Sequence, residues 1–289
     1  MNQALKKAGN YLSLVTFAHT IFALPFALIG FFLATRLHGF GMSWITFLLV
    51  ILCMIFARNS AMGFNRWADR KIDAQNPRTA SREIPSGVIS AKSGLIFTLI
   101  NAALFMAAAW FINPICGWLS PVALLVVMGY SLTKKITALC HLILGLGLSL
   151  APIGAYLAVS GSFHWLPLLF SGVVLTWVSG FDIIYALQDH DFDKQKDLFS
   201  IPVWLGKKGA LAVSTGLHFI TAGLVILAGI LANFGWFYFI GTALFIGLLT
   251  YQHKIVKPDD LSKVTRAFGT TNGVASVIFA VFVLLELFL

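Results

Sequence analysis

Charge is scarce here: charged side chains make up only 11% of 289 residues, too few to cover a water-soluble globule. Cysteine is scarcer, with Cys53, Cys116 and Cys140 lying singly in apolar runs and no C-x-x-C pair. That excludes a thiolate metal or redox motif and leaves buried packing as their role. Alternation of polar and apolar residues is missing from the apolar runs, which excludes a membrane β-barrel. No linker or composition shift divides the chain, so residues 1–289 read as one membrane domain without an extramembrane one.

What remains is a chain 58% hydrophobic with a mean hydropathy of +0.87. Apolar runs long enough to cross a bilayer lie near 17–36, 43–62, 93–112, 116–133, 138–159, 164–185, 209–230, 233–251 and 270–288. The expected fold is an all-α integral membrane bundle of nine transmembrane helices. The first run follows Lys6 and Lys7 as a signal peptide would. It is long and further spans follow, so an uncleaved first helix is expected.

With the N-terminus cytoplasmic and the C-terminus opposite, this count places 19 of the 20 Lys and Arg residues on one side; Arg36 is the exception. The net charge of +9 is then membrane topology and a possible phosphate site, with no nucleic acid required. Ten of the eleven acidic residues share that side, Glu286 being the exception.

These acids form two clusters, the first with Glu83 further along and the second beginning at Asp182, and each contains a ladder. Asn65, Asp69 and Asp73 step by four residues in "FNRWADRKIDAQNPRTASREIPSG", and Tyr185, Asp189, Asp193 and Asp197 do so in "YALQDHDFDKQKD". Four-residue spacing expects each set on one helical face. Solvated helix ends with local ion pairs would explain either ladder alone. Two like-charged ladders at one membrane face favour a shared cavity in which oxygen ligands bind a hard cation, Mg²⁺ sharing its shell with a substrate phosphate. Asp69, Asp73, Asp189 and Asp193 with a diphosphate exceed the charge of two Mg²⁺ ions. Arg66, Arg70, Arg78, Arg82, Lys134 and Lys194 stand on the correct side to meet that deficit. In a membrane the natural tail for such a diphosphate is a polyprenyl chain, held in the apolar bundle.

"NRWADRKID", "YSLTK" and "DHDFD" resemble the three signatures of the UbiA superfamily of intramembrane aromatic prenyltransferases: N-D-x-x-D-x-x-x-D, Y-x-x-x-K and D-x-x-x-D. "NPRTASREIPSG", "GFDIIYALQDHDFD" and "SIPVWLG" extend the resemblance over nearly the whole chain. It implies Mg²⁺–diphosphate ligation by Asn65, Asp69, Asp73, Asp189 and Asp193. Tyr130 and Lys134 would stand near the diphosphate and reacting carbon, and Tyr185 would belong to the substrate cavity. The implied reaction ionises an allylic diphosphate and lets an electron-rich aromatic ring attack the carbocation.

One position departs from the pattern: Arg66 stands where the family usually has Asp, so transfer of every first-motif metal contact is in question. "HTIFALPFA" and the form of the first motif resemble the branch near the 4-hydroxybenzoate polyprenyltransferases. Some members resembling it prenylate a naphthoate on the futalosine route to menaquinone. Either acceptor carries a carboxylate, and Arg58, seven residues before Asn65, is the candidate to bind it. Its bland alternative is snorkelling to the interface. His19 could orient an acceptor or simply be buried. The expected location is a bacterial inner membrane with the site facing the cytoplasm. A cation-coupled transporter is the rival class, but its acids would be expected near the midplane on broken helices.

Overall fold

The structure, a computed structural model, describes residues 3–15 and 21–289, with side chains described for 9–15 and 21–289. The described residues are helical apart from turns and one isolated β-bridge, Lys257 to Asp260. In order, the α-helices are α1 Gln3–Leu14, α2 Leu24–Phe32, α3 Trp44–Ala68, α4 Arg70–Asp73, α5 Ala91–Ile112, α6 Pro114–Thr133, α7 Cys140–Ser160, α8 Trp165–Ala186, α9 His190–Gln195, α10 Ile201–Leu231, α11 Trp236–Ile255 and α12 Asn272–Phe288. Seven described helical segments are long and apolar enough to cross a membrane. Large apolar side chains stand exposed along them, Phe111 at 81% and Leu125 and Phe219 at 74%, as a hydrocarbon solvent allows.

The first expected span differs from what forms. The helix begins at Leu24 because Pro25, lacking an N–H, suits a first turn and starts it there. It then continues as a π-turn over Leu33–Leu37. His19 lies outside the described residues. The segment "SIPVWLG", which lies between two of the expected spans, forms the N-cap and start of α10. Ser200 caps it by accepting from the Val203 amide at 3.3 Å, and Gly206 breaks the helical dihedrals with φ 70°.

The chain packs as two compact units, residues 1–20 with 48–132, and residues 21–47 with 133–289. In the first, Asn59 on α3 donates to Asn101 on α5 at 2.9 Å. Leu14, Ile84 and Ile89 form a small core with Trp67 and Phe97 against it. In the second, Phe26, Phe170, Trp177, Tyr238, Phe245 and Phe279 build an aromatic core. α7 and α8 approach closely at Gly145, where a Cβ would come within 2.5 Å of the Leu175 carbonyl oxygen.

Both exceptions to the charge asymmetry have local partners in this second unit. The Arg36 guanidinium lies 4.1 Å from the centroid of the Phe288 ring. Glu286 accepts from the Gly235 and Tyr238 amides at 2.6 and 3.3 Å, capping α11 where Gly235 has no side chain to do so.

Candidate active site

The first carboxylate ladder lies in the first unit, but not on one continuous helix. α3 ends at Ala68 and Asp69 takes φ −95°, ψ 2°, before the single turn of α4 begins. The hydrogen bonds nevertheless carry across: the Asp69 amide donates to the Asn65 carbonyl at 3.0 Å, and the Asp73 amide to the Asp69 carbonyl at 2.8 Å. The four-residue register therefore survives a break in the dihedrals.

Burial in this ladder is pronounced. Asp69 is 8% exposed and Asp73 is 6% exposed. Asn65 donates through Nδ2 to Asp69 Oδ2 at 3.2 Å, which leaves its amide oxygen outside that bond. Asp73 accepts from Arg82 Nη1 with both oxygens, at 2.8 and 2.9 Å. The turn-rich stretch "QNPRTASREIP" makes this pairing possible by doubling back. Thr79 Oγ1 donates to the Asp73 carbonyl at 3.1 Å, Asn76 Oδ1 accepts the Arg78 amide at 3.0 Å, and Glu83 accepts a short bond from Ser13.

The remaining candidates of this unit divide. Arg66 is buried on α3, with Arg82, Asp73, Tyr130 and Glu83 as its electrostatic neighbours. It thus sits within the charged cluster. Arg58, one level deeper, donates through Nη2 to the Val15 carbonyl at 3.3 Å and has Tyr130 and Arg66 as charged or polar neighbours. Arg70 turns away from the carboxylates: Nη1 donates to the Trp67 carbonyl at 2.6 Å, and the guanidinium lies 4.8 Å from the Trp67 ring centroid.

The second ladder, in the second unit, repeats the local design. α8 tightens into a 3₁₀ turn, Leu187–Asp189, and Asp189 takes φ −97°, ψ 0°, before α9 begins. The bridge-region conformation of Asp69 thus recurs at Asp189. Four residues on, Asp193 is 3% exposed and accepts from Lys134 Nζ at 3.1 Å. In each ladder the first Asp sits at a helix break and the second is buried against one cation. Tyr185 does not join the carboxylates; its ring stacks on Phe268 with centroids 4.1 Å apart. Lys194 and Asp197 are exposed, and Asp197 has a positive φ of 52°.

Sequence reasoning places Asp182 in the second acidic cluster but misses its partner beside this ladder. His141 Nδ1 donates to Asp182 Oδ2 at 2.7 Å, and His141 is 3% exposed. An acid placed seven residues before Asp189, inside a span, demands a partner, and that demand was the available signal.

No three His, Cys, Asp or Glu side chains among the described residues form a ready-made metal cage. Mg²⁺ takes one or two carboxylates and completes its octahedron with water and substrate phosphate. The donors on each ladder are hard oxygens, and the buried Asp73 and Asp193 carboxylates already keep a cation, Arg82 or Lys134, beside them. The residues present fit Mg²⁺.

The chain is similar to several known proteins in sequence and fold. The sequence pattern of the UbiA prenyltransferase family matches residues 23–283. A 4-hydroxybenzoate octaprenyltransferase of Tolumonas auensis is 30% identical over 248 residues, which cover 86% of each chain. One of Yersinia pseudotuberculosis is 31% identical over 250 residues, covering 85% of each. Among solved structures, the apo structure of a UbiA homolog from Aeropyrum pernix K1 matches with a TM-score of 0.84 at 31% identity. It covers 93% of this chain and 98% of that one. A UbiA homolog from Archaeoglobus fulgidus bound to DMAPP and Mg²⁺ has the same fold, with a TM-score of 0.75 at 20% identity over 96% and 99% of the two chains.

Proposed function

The chain belongs to the UbiA prenyltransferase family, and from that premise we propose that it transfers a polyprenyl group from its diphosphate to an aromatic carboxylic acid in quinone biosynthesis. The observation that carries this reading is the repeated carboxylate design: Asp69 and Asp189 at matching helix breaks, with Asp73 and Asp193 buried against Arg82 and Lys134.

In this reading Asn65, Asp69, Asp73, Asp189 and Asp193 hold two Mg²⁺ ions. When bound, the ions supply a counter-charge for the departing diphosphate. Arg66, Arg70, Arg82 and Lys134 bind the diphosphate oxygens, Arg70 after leaving the Trp67 carbonyl. The allylic C–O bond breaks with its electron pair leaving on diphosphate. A ring carbon of the acceptor forms the new C–C bond, and the ring proton departs to restore aromaticity. Tyr130 stands near the reacting carbon, Tyr185 lines the substrate cavity beside Phe268, and the apolar bundle excludes water that would quench the carbocation. Arg58 binds the acceptor carboxylate, because a half-buried guanidinium matches that planar anion.

Residues 1–289 act as one prenyltransferase domain of nine spans. It lies in a bacterial inner membrane with the N-terminus and the carboxylate ladders cytoplasmic, following the charge asymmetry. The acceptor is of the 4-hydroxybenzoate type, as in the named relatives, with a dihydroxynaphthoate as the competing acid. The test supplies membranes containing the protein with Mg²⁺, a labelled polyprenyl diphosphate and each acid in turn. A prenylated benzoate supports the first acceptor and a prenylated naphthoate the second. Neither product, with the diphosphate intact, overturns the reading.

A further inference from the structure

Asp182 lies on α8 two helical turns before Asp189 and has a role in neither ladder. Its carboxylate accepts from Nδ1 of His141, at the first turn of α7. The other ring nitrogen, Nε2, accepts the Ile201 amide at 3.4 Å, at the start of α10. One imidazole therefore joins the helix that leads into the second ladder to the helix that follows it.

Around it the chain is laced to the connector between α6 and α7. The Phe199 amide donates to the Lys134 carbonyl at 2.8 Å, and Cys140 Sγ donates to the Phe199 carbonyl at 3.6 Å. The Ser179 hydroxyl on α8 donates to the His141 carbonyl at 3.2 Å. Lys134, thus fixed through its backbone, sets its ammonium 3.1 Å from Asp193. A lysine stem has four rotatable bonds, and its ammonium is a compact point charge. Its backbone must therefore be held if the charge is to stand at one place.

We propose that His141 and Asp182 form a positioning couple that clamps the Phe199–Ile201 strap onto the α6–α7 connector and so holds Lys134 in place for the diphosphate. The couple acts through Lys134 and touches neither substrate. This inference rests on the diphosphate-binding reading above. It adds two residues to that reading and explains why α8 carries an acid within its apolar span.

The experiment is a double-mutant cycle on the full chain purified in detergent. It measures the affinity for a non-hydrolysable geranyl thiolodiphosphate with Mg²⁺ by calorimetry. His141→Leu is expected to weaken binding about tenfold, and to weaken it no further in a Lys134→Ala background. In the steady state the KM for prenyl diphosphate rises and that for the aromatic acid does not. His141→Gln restores the affinity in large part, because its carboxamide can both donate to Asp182 and accept from Ile201. Without any metal, hydrogen exchange at the Phe199 and Ile201 amides should quicken in His141→Leu. Should that variant fail to fold, Asp182→Asn enters the same cycle with the same expectation. Additive losses with Lys134→Ala, or unchanged affinity and exchange, overturn the couple. Absence of Mg²⁺-dependent binding by the wild type removes the diphosphate reading and the couple together.

Discussion

Removing Arg82 should move two affinities in opposite directions. Its Nη1 lies 2.8 and 2.9 Å from the two oxygens of Asp73, whose side chain is 9% exposed while that of Arg82 is 24% exposed. Any cation arriving at Asp73 competes with that guanidinium and is repelled by its charge. Truncating one member of a buried pair costs about 3–5 kcal/mol, and partial exposure of Arg82 brings this nearer ~2 kcal/mol. If half or more of that attraction is returned to an incoming metal, Arg82→Ala binds Mg²⁺ alone roughly five- to thirtyfold more tightly. Diphosphate binding at saturating Mg²⁺ should instead weaken by roughly ten- to a hundredfold, the size of one lost charge-assisted hydrogen bond. Calorimetry of the purified protein, with Mg²⁺ alone and then with a prenyl thiolodiphosphate, reads both. Arg82→Lys, which keeps the charge, should leave Mg²⁺ affinity near wild type. Weaker or unchanged Mg²⁺ binding in Arg82→Ala would refute the competition, whatever happens to the diphosphate.

Three further outcomes follow from other residues. Arg58→Ala should raise the KM for the aromatic acid by about tenfold or more while changing that for prenyl diphosphate little; the reverse ranking in steady-state kinetics contradicts an acceptor role. Glu286→Gln weakens the borrowed cap of α11, costing about 1 kcal/mol, which a thermal melt in detergent would register as a lower Tm. His38 lies beyond the π-turn, bonded to Tyr156 Oη at 2.8 Å with its ring centroid 4.2 Å from that of His164. Burial, and then the charge of His164, lower its pKa. A base with a depressed folded pKa contributes stability above its unfolded pKa of about 6.5 and loses it as pH falls through that value. Thermal melts between pH 7.5 and 5.5 should therefore show a Tm loss that His38→Gln reduces.

The two ladders were legible in the sequence because carboxylates four residues apart are rare in so apolar a chain, and the role proposed for them comes from the resemblance to known signatures. The helix breaks at Asp69 and Asp189 were not legible. At Asp69 a one-residue excursion to the bridge region leaves the four-residue register intact, so periodicity looks the same on either side. Arg82 could be nominated from charge but not paired, since its approach to Asp73 depends on the turns of "QNPRTASREIP". Arg70 and Arg82 are indistinguishable by sidedness, yet one turns to Trp67 and the other to Asp73. Tyr185 has ladder spacing but packs on Phe268, because its ring falls beside the π-turn before α12, which no local pattern announces. Pro25 was a readable helix start that the continuous apolar run concealed. His141 and Asp182 stand 41 residues apart, and only helix packing brings them together.

The central claim is that Asp69 and Asp189 serve one Mg²⁺-dependent departure of diphosphate. The most direct measurement is diphosphate release and prenyl transfer from a labelled polyprenyl diphosphate by wild type, Asp69→Asn and Asp189→Asn across a Mg²⁺ titration. Each variant keeps the side-chain volume and removes one charge. The account predicts that release and transfer fall together by a hundredfold or more, on the order of 2.7 kcal/mol of lost transition-state stabilisation. Release that proceeds at the wild-type rate in either variant would contradict it.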